Sequence, residues 1–194
     1  MMNKLVCIVG MCGSGKSEVA NALIKEGYEY LRFGQITLDE IKKRGLPINE
    51  ANEKAIREEF RKNHGMAAYA TLNFPNFDQM LKKSNVVGDG LYSWSEYKVL
   101  KQRYGKQLII IAVCASPEIR YFRLENRSSK YKNDPKAIYR SISPQDAQKR
   151  DYSEIENIEK GGPIAMADYY LVNESDLEEL NQQIKNMIQW LRPK

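Results

Sequence analysis

The chain contains 194 residues, of which 42% are hydrophobic, and it carries a formal net charge of +5. This length favours a single domain with its own core, and no stretch approaches the roughly 20 consecutive apolar residues that span a bilayer, so we expect a soluble, cytoplasmic protein without a membrane segment. The excess charge could suggest nucleic acid, but basic and acidic residues are interleaved over most of the chain, and a small polyanionic substrate explains the excess equally well.

The first predicted strand, Leu5 to Val9, is a continuous apolar run, as expected for a parallel strand covered on both faces. It leads into Gly10-Met11-Cys12-Gly13-Ser14-Gly15-Lys16-Ser17, which fits the pattern G-x-x-x-x-G-K-[ST], and then into a helix that stops near Gly27. In this pattern the backbone N–H groups of a glycine-rich turn point at phosphate oxygens, and the helix N-terminus adds a partial positive charge.

The sequence therefore predicts a nucleoside triphosphate site, with Lys16 on the outer phosphates and the Ser17 hydroxyl on Mg2+. The residues of this segment predicted to bind the nucleotide are Gly10, Cys12, Gly13, Ser14, Gly15, Lys16, Ser17 and Glu18.

Apolar runs alternate with amphipathic stretches along the rest of the chain, an order that builds an α/β fold with a parallel sheet. The further predicted strands are 28–31, 85–88, 108–114 and 169–172. Two further helices are predicted at 36–44 and 49–63. Capping boxes predict two more, one that begins at Ser93 and Glu96 and a last one that begins at Ser175 and Glu178. A proline at the first helical position predicts one helix from Pro117 to about Arg127 and another from Pro144. The polar and basic stretch from Ser128 to Ser143 predicts a mobile flap.

Asp89 follows the apolar strand Val86-Val87-Gly88 and therefore stands at a carboxyl strand end, where ligands of doubly wound sheets bind. One interpretation gives Asp89 the Mg2+ shell or the proton of an acceptor. The other interpretation is an aspartate that makes the Asp-Gly turn with Gly90. Strand-end carboxylates commonly accompany phosphate loops, which favours the functional interpretation.

Three arginines, Arg120, Arg123 and Arg127, share one helical face because they are three and four residues apart. This face is either solvated or directed at the nucleotide, and the planar guanidinium suits β- or γ-phosphate oxygens. We predict such contacts for Arg123 and Arg127, and also for Arg150, which follows the flap and can close over the same phosphates.

The odd number of cysteines, and the position of Cys7 and Cys114 in predicted strands, indicate reduced thiols instead of a disulfide framework. Cys12 lies in the phosphate loop, so a redox role is an alternative to the favoured interpretation of a tolerated small side chain. His64, the single histidine, is predicted to be a helix-end residue beside Gly65 and not a catalytic base.

Taken in order, these motifs resemble the P-loop small-molecule kinases of the nucleoside monophosphate kinase type, and within them dephospho-CoA kinase and archaeal-type adenylate-kinase-like proteins. The resemblance spans nearly the whole chain and rests on the segments Gly10 to Ser17, Asn85 to Gly90, Ala115 to Arg127 and Ala167 to Asn173. It implies a three-layer P-loop NTPase fold with a five-stranded parallel sheet. It also implies a single domain with a core of residues 1–33, 76–125 and 151–194, a helical acceptor-binding insertion at 34–75, a lid at 126–150, and adenine bound near Arg123 and Asn173.

Three positions depart from the monophosphate kinase pattern. Gln35 and Leu38 stand where that family usually has an aspartate and an arginine, and Tyr92 stands where an acceptor-phosphate arginine follows Asp-Gly. Two missing charge-assisted hydrogen bonds, at roughly 1.5 to 3 kcal/mol each, argue against an ordinary nucleoside monophosphate as acceptor. Other cations could take the place of the missing arginines, namely Arg32, Lys42, Arg44 or Arg57. Tyr92 and Trp94 either stack on a base or pack internally.

We expect an ATP- and Mg2+-dependent phosphotransferase that moves the γ-phosphoryl group to a nucleotide-like small molecule. The expected catalytic residues are Lys16, Asp89, Arg123, Arg127 and Arg150, and the expected metal ligands are Ser17 and Asp89. The alternative is a nucleotide-binding regulator or degenerate kinase that binds ATP without transfer, which the three departures motivate. A GTPase is less favoured, because the sequence has neither a convincing Asn-Lys-x-Asp motif nor an Asp-x-x-Gly switch.

Overall fold

Five parallel strands form one sheet in the order β2-β3-β1-β4-β5, in a computed structural model that describes residues 2–127 and 141–192. The strands are β1 (Leu5–Val9), β2 (Glu29–Arg32), β3 (Val86–Asp89), β4 (Leu108–Cys114) and β5 (Tyr169–Val172). The helices are α1 (Lys16–Lys25), α2 (Gln35–Lys43), α3 (Glu50–His64), α4 (Ala68–Leu81), α5 (Trp94–Tyr104), α6 (Pro117–Glu125), α7 (Pro144–Ile158), α8 (Gly161–Ala165) and α9 (Leu177–Leu191). Each predicted strand is present to within one residue, and the predicted five-stranded parallel α/β sheet is confirmed.

The two faces of β1 explain why its sequence is apolar throughout. Leu5, Cys7 and Val9 pack into one core with residues of α4 and α5, whereas Val6 and Ile8 pack into a second core with residues of α1 and α9. Every residue of β1 is fully buried. The molecule therefore has helices on both sides of the sheet, the three-layer arrangement that a central parallel strand requires.

The register of the strands decides which residues meet at the carboxyl edge of the sheet. Ile8 of β1 lies beside Asp89 of β3, and Arg32 of β2 lies beside Asp89 on the other side. Val9 lies beside Ala112 of β4. The loop after β1 therefore emerges between the ends of β3 and β4, so that Asp89 stands next to the predicted phosphate loop.

Helices α2, α3 and α4 form the segment between β2 and β3. The sequence patterns predict the first two helices but not α4, which contains Pro75, a residue that normally marks a helix boundary. Burial of one face offsets this defect: Tyr69 and Phe77 are buried, and the amide of buried Asn73 donates to the carbonyl oxygens of Phe33 and Tyr69 at 3.1 and 2.7 Å. The acceptor-binding role of this segment stays a prediction.

The helix caps agree with the sequence at two positions and differ at a third. Ser93 and Glu96 form the predicted capping box of α5, and Ser143 caps α7. The cap predicted for the last helix is wrong: Asp176, not Ser175, accepts the N–H of Glu179. Aspartate and serine are equally good N-caps, so the sequence pattern alone does not separate adjacent candidates.

Residues 128–140, which include most of the predicted flap and the centre of the predicted lid at 126–150, lie outside the described residues. Among the helices of the described residues, none has the length and apolar character needed to cross a membrane.

Candidate functional site

The loop from Gly10 to Gly15 has a backbone that only glycine adopts easily at three positions. Gly10, Gly13 and Gly15 have φ angles of 151°, 82° and 103°. Their neighbours also leave no room for a side chain: an added Cβ would lie 2.3 Å from the Val113 carbonyl oxygen at Gly10, and 2.4 Å from Nδ2 of Asn173 at Gly15. The three glycines are therefore fixed by both conformation and packing, and the loop opens directly onto α1.

Lys16 lies across this loop. Its Nζ donates to the carbonyl oxygens of Gly10 and Met11 at 2.9 and 3.0 Å, so the ammonium group sits at the concave side of the turn. Burial, followed by the positive charge of nearby Lys160, lowers the pKa of Lys16 to about 8, while Cys12, Asp89 and Glu154 act in the opposite direction. The amine thus occupies a crowded, partly desolvated position that a polyphosphate would stabilise in its charged form.

Two hydroxyl groups flank Lys16 in the loop. Ser14 is fully buried, and its Oγ has no hydrogen-bond partner among the described residues. Ser17 lies in the first turn of α1 and remains partly exposed. A buried hydroxyl without a partner is costly, which indicates that this turn is built to meet a polar ligand.

Asp89 stands at the end of β3, as predicted, and it is partly exposed. Its Oδ2 accepts a hydrogen bond of 2.9 Å from the Tyr30 hydroxyl, which comes from the neighbouring strand β2. Burial and the Asp89 carboxylate raise the pKa of Tyr30, so Tyr30 stays a donor. The bond orients the carboxylate at the sheet edge beside the loop.

A buried arginine supports the loop from below. Arg120 donates to the Cys12 carbonyl oxygen at 3.2 Å and to the Ala115 carbonyl oxygen at 3.0 Å, and its Nη2 lies 2.6 Å from Oδ2 of Asp151. Both charged side chains are about 5% exposed. Although Arg120 shares a helical face with Arg123 and Arg127, its side chain connects the phosphate loop, the residue after β4 and α7.

Arg123 points to the loop after β5. Its guanidinium donates to the carbonyl oxygen and Oδ1 of Asn173 and to the carbonyl oxygen of Ser175, at 3.0 to 3.1 Å. Asn173 in turn donates from Nδ2 to the Ser14 carbonyl oxygen at 2.9 Å. Arg123 and Asn173 are therefore bonded to each other and to the phosphate loop, and their contact with the base or with transferred charge stays a prediction.

Arg150 lies on α7, where its Nε donates to Oε1 of Glu154 at 3.0 Å. Although burial opposes it, the charges of Cys12 and Glu154 and the Tyr92 hydroxyl raise the pKa of Arg150. Arg150 is therefore within electrostatic range of Cys12 in the loop, and its closure over the phosphates stays a prediction. Arg127 follows α6 at the edge of the described residues, and Glu18 lies in the first turn of α1; their nucleotide contacts stay predictions.

The candidate substitutes on the acceptor side separate into two groups. Arg44 forms ion pairs with Glu40 and Glu59, and Arg57 forms ion pairs with Glu50 and Glu53, so both are engaged within the helical segment. Arg32 instead lies beside Asp89 at the edge of the sheet. Burial raises the pKa of Tyr92, and the positive charge of Arg32 opposes that shift.

The aromatic and polar side chains there have internal partners. Trp94 is stacked on Tyr97 with ring centroids 4.9 Å apart, which supports the packing interpretation of Trp94. Gln35 donates to Asp39 within α2, and His64 ends α3 with its ring 6.5 Å from that of Phe60. The three cysteines are free thiols.

The residues present fit ATP and Mg2+. The glycine cradle, the unpartnered Ser14 hydroxyl and the Lys16 ammonium suit a polyphosphate, and Ser17 and Asp89 offer the oxygen donors that Mg2+ prefers. Within residues 2–127 and 141–192 no cluster of three or more His, Cys, Asp or Glu side chains forms a metal cage. Mg2+ normally needs no such cage, because waters and substrate phosphates complete its shell.

Sequence reasoning missed three side chains at this site: Tyr30, Asp151 and Lys160. Tyr30 sits in a short strand whose register the sequence does not specify, and Asp151 stands in a helix without a motif that marks it. Lys160 follows a helix end, so its burial depends on the turn at Glu159. The one available signal was the spacing of Arg150 and Glu154, four residues apart on one helical face.

Known proteins share this architecture. A family model described as an AAA domain matches residues 6–160. A UPF0200 protein of Thermococcus sibiricus is 32% identical over 189 residues, which cover 96% of this chain and 95% of that protein.

Two solved structures extend the likeness. A Thermus thermophilus protein aligns over 100% of both chains with a TM-score of 0.65 and 17% identity. A shikimate kinase from Bacteroides thetaiotaomicron covers 97% of this chain and 98% of its own, with a TM-score of 0.55 and 9% identity. The predicted resemblance to P-loop kinases is thus confirmed for the fold, and the finer monophosphate kinase or dephospho-CoA kinase type stays a prediction.

Proposed function

We propose a phosphotransferase function for this chain, which belongs to the UPF0200 family and carries a domain of the AAA type. The proposed reaction moves the γ-phosphoryl group of ATP to a nucleotide-like small molecule, either a nucleoside monophosphate or an acceptor resembling dephospho-CoA. The segment 34–75 would bind the acceptor, and residues 126–150 would form a lid. The kinase among the structural neighbours supports the reaction class by analogy of fold, which leaves the acceptor to be identified from the site.

The observation that carries this proposal is the conjunction of the loop with Asp89. A phosphate loop alone binds nucleotide, but here a strand-end carboxylate stands one strand away, oriented by Tyr30. In the transfer, the acceptor oxygen bonds to the γ-phosphorus while the bond from that phosphorus to the bridging oxygen of ADP breaks. If the acceptor group is a hydroxyl, Asp89 would accept its proton.

The other side chains position the phosphates and neutralise their charge. The loop N–H groups and Lys16 would hold the β- and γ-phosphates, Ser17 and Asp89 would hold Mg2+, and Arg150 would approach from α7. Bound Mg2+ supplies neutralisation of charge on the transferred group.

A coupled assay of ADP release tests the proposal. Nucleoside monophosphates, nucleosides and dephospho-CoA would each be offered as acceptor with ATP and Mg2+. We expect turnover with at least one class, and a loss of about 100-fold or more in Lys16→Ala, because one removed donor to transferred charge typically costs that much. Lys25→Ala, an exposed lysine at the other end of α1, is the matched control and should keep full activity.

Two outcomes would contradict the proposal. Full activity in Lys16→Ala would remove the phosphate loop from the mechanism. Tight ATP binding with no product from any acceptor would favour instead the nucleotide-binding regulator that Gln35, Leu38 and Tyr92 suggest.

A further inference from the structure

Lys160 is a buried lysine that the loop mechanism does not use. It is 2% exposed, and it follows Glu159, whose φ of 53° is the one positive value among the non-glycine residues described. Side chains with a Cβ rarely adopt this conformation, and it persists where the surroundings enforce it. Glu159 is the C-cap of α7, and the Lys160 N–H donates to the Glu154 carbonyl oxygen at 3.2 Å.

The ammonium group of Lys160 is held by charge and by an aromatic ring. Its Nζ hydrogen-bonds Oε2 of Glu154, whose other oxygen accepts from Arg150. It also lies 5.3 Å from the centroid of the Tyr92 ring. The side chains of Lys160 and Glu154 are 3% and 11% exposed. Because burying an ion pair costs desolvation energy that pairing often fails to recover, stability alone does not explain this arrangement.

The segment that carries Lys160 is fixed against the core. Gly162 packs so closely on Trp94 that an added Cβ would lie 2.8 Å from Cε3 of the indole. Trp94 is in turn stacked on Tyr97 of α5. The residues that follow Lys160 are therefore packed closely against α5, and such packed support is what precise contact with a ligand requires.

Lys160 has neighbours on both the acceptor side and the phosphate-loop side of the site. Tyr92 follows the Asp89-Gly90 turn. Its hydroxyl packs closely against Gly90, since a Cβ added there would lie 3.0 Å from the hydroxyl oxygen. On the other side, Lys16 is close enough for the two ammonium groups to repel each other. Lys160 thus lies between the phosphate loop and Tyr92, the position where an acceptor-phosphate arginine is missing.

We infer that Lys160 is a second phosphate-binding lysine, which contacts the γ-phosphoryl group on its path from ATP to the acceptor. The inference rests on the proposed function and deepens it. Where the resemblance implies an arginine, this chain has Tyr92. The ammonium group of Lys160, at the end of α7, lies over the ring of Tyr92 and would supply the missing positive charge. Glu154 holds Lys160 and Arg150 together, so that both cations approach the same phosphoryl oxygens.

Calorimetric titration with two nucleotides tests this inference without knowledge of the acceptor. The wild type, Lys160→Gln and Lys160→Arg would be titrated with Mg2+ and either the β,γ-imido analogue of ATP or ADP. Glutamine keeps a donor for Glu154 but removes the charge, and arginine keeps the charge. We expect Lys160→Gln to bind the ATP analogue at least tenfold more weakly with less than a twofold change for ADP, and Lys160→Arg to retain most of the affinity.

The matched control is Lys98→Gln. Lys98 also places its ammonium near an aromatic ring, 5.9 Å from that of Trp94, but it is exposed. It should leave both affinities unchanged. Equal losses for the two nucleotides in Lys160→Gln, or no loss for either, would overturn the inference, and an equal loss would assign Lys160 to structure. A wild type that binds neither nucleotide would instead refute the proposed function.

Discussion

At the scale of single residues, the ion pair between Arg120 and Asp151 has a structural role, because Arg120 holds the phosphate loop through the Cys12 carbonyl oxygen. The pair is buried, with 2.6 Å between Nη2 and Oδ2, and Oδ1 of Asp151 has no hydrogen-bond partner among the described residues. Removing the arginine leaves a buried carboxylate with the Tyr121 hydroxyl as its donor. We therefore expect Arg120→Met to lower the free energy of unfolding by about 3 to 5 kcal/mol, measured by urea denaturation.

Arg192→Met provides the comparison for that variant. Arg192 pairs with Glu26 at 3.4 Å, and its side chain is 67% exposed, so water replaces the lost partner. The expected change is below about 1 kcal/mol. If both variants lost the same small amount, the buried pair would not be a structural support of the loop.

At the scale of an element, the capping residue Glu96 at the start of α5 makes the stability of the fold depend on pH. Oε2 of Glu96 accepts the N–H groups of Tyr92 and Ser93, and the residue is fully buried. Burial raises the pKa of Glu96 from 4.5 to about 7, although these two N–H groups and the charges of Arg61 and Lys160 oppose the shift. An acid with a raised pKa in the folded state stabilises the fold below pH 4.5 and loses that contribution as pH rises through 7.

Glu96→Gln should therefore change the pH dependence of stability. Glutamine also completes a capping box, but it carries no charge to desolvate. We expect similar unfolding free energies for the variant and the wild type near pH 4.5, and a variant that is more stable by up to about 3 kcal/mol at pH 8. Glu179→Gln, at the corresponding position of α9 but exposed, should show no such trend in urea unfolding between pH 5 and 8. A constant difference for Glu96→Gln would contradict the raised pKa.

At the scale of the whole molecule, the sequence predicted what depends on local patterns. The strands followed from apolar runs such as Leu108 to Cys114, and the glycine cradle from its motif. Contacts between distant segments were not predictable in the same way. Arg120 meets the Cys12 carbonyl oxygen across 108 positions, and Asn173 meets that of Ser14 across 159. Such pairs depend on strand register and on turns such as Glu159, which composition and periodicity do not specify.

The same long-range contacts predict how the molecule responds to nucleotide. Because the loop is bonded to α6 and to the end of β5, a ligand that fixes the loop should stabilise the fold as a unit. At a hundredfold excess over its dissociation constant, ATP with Mg2+ should contribute about 2.7 kcal/mol, which raises the melting temperature of a domain this size by roughly 5 to 11 °C. Adenosine, which lacks phosphates, should shift it by less than about 1 °C in the same scanning fluorimetry experiment. Equal shifts from both ligands would mean that the base, and not the phosphate loop, provides the binding energy.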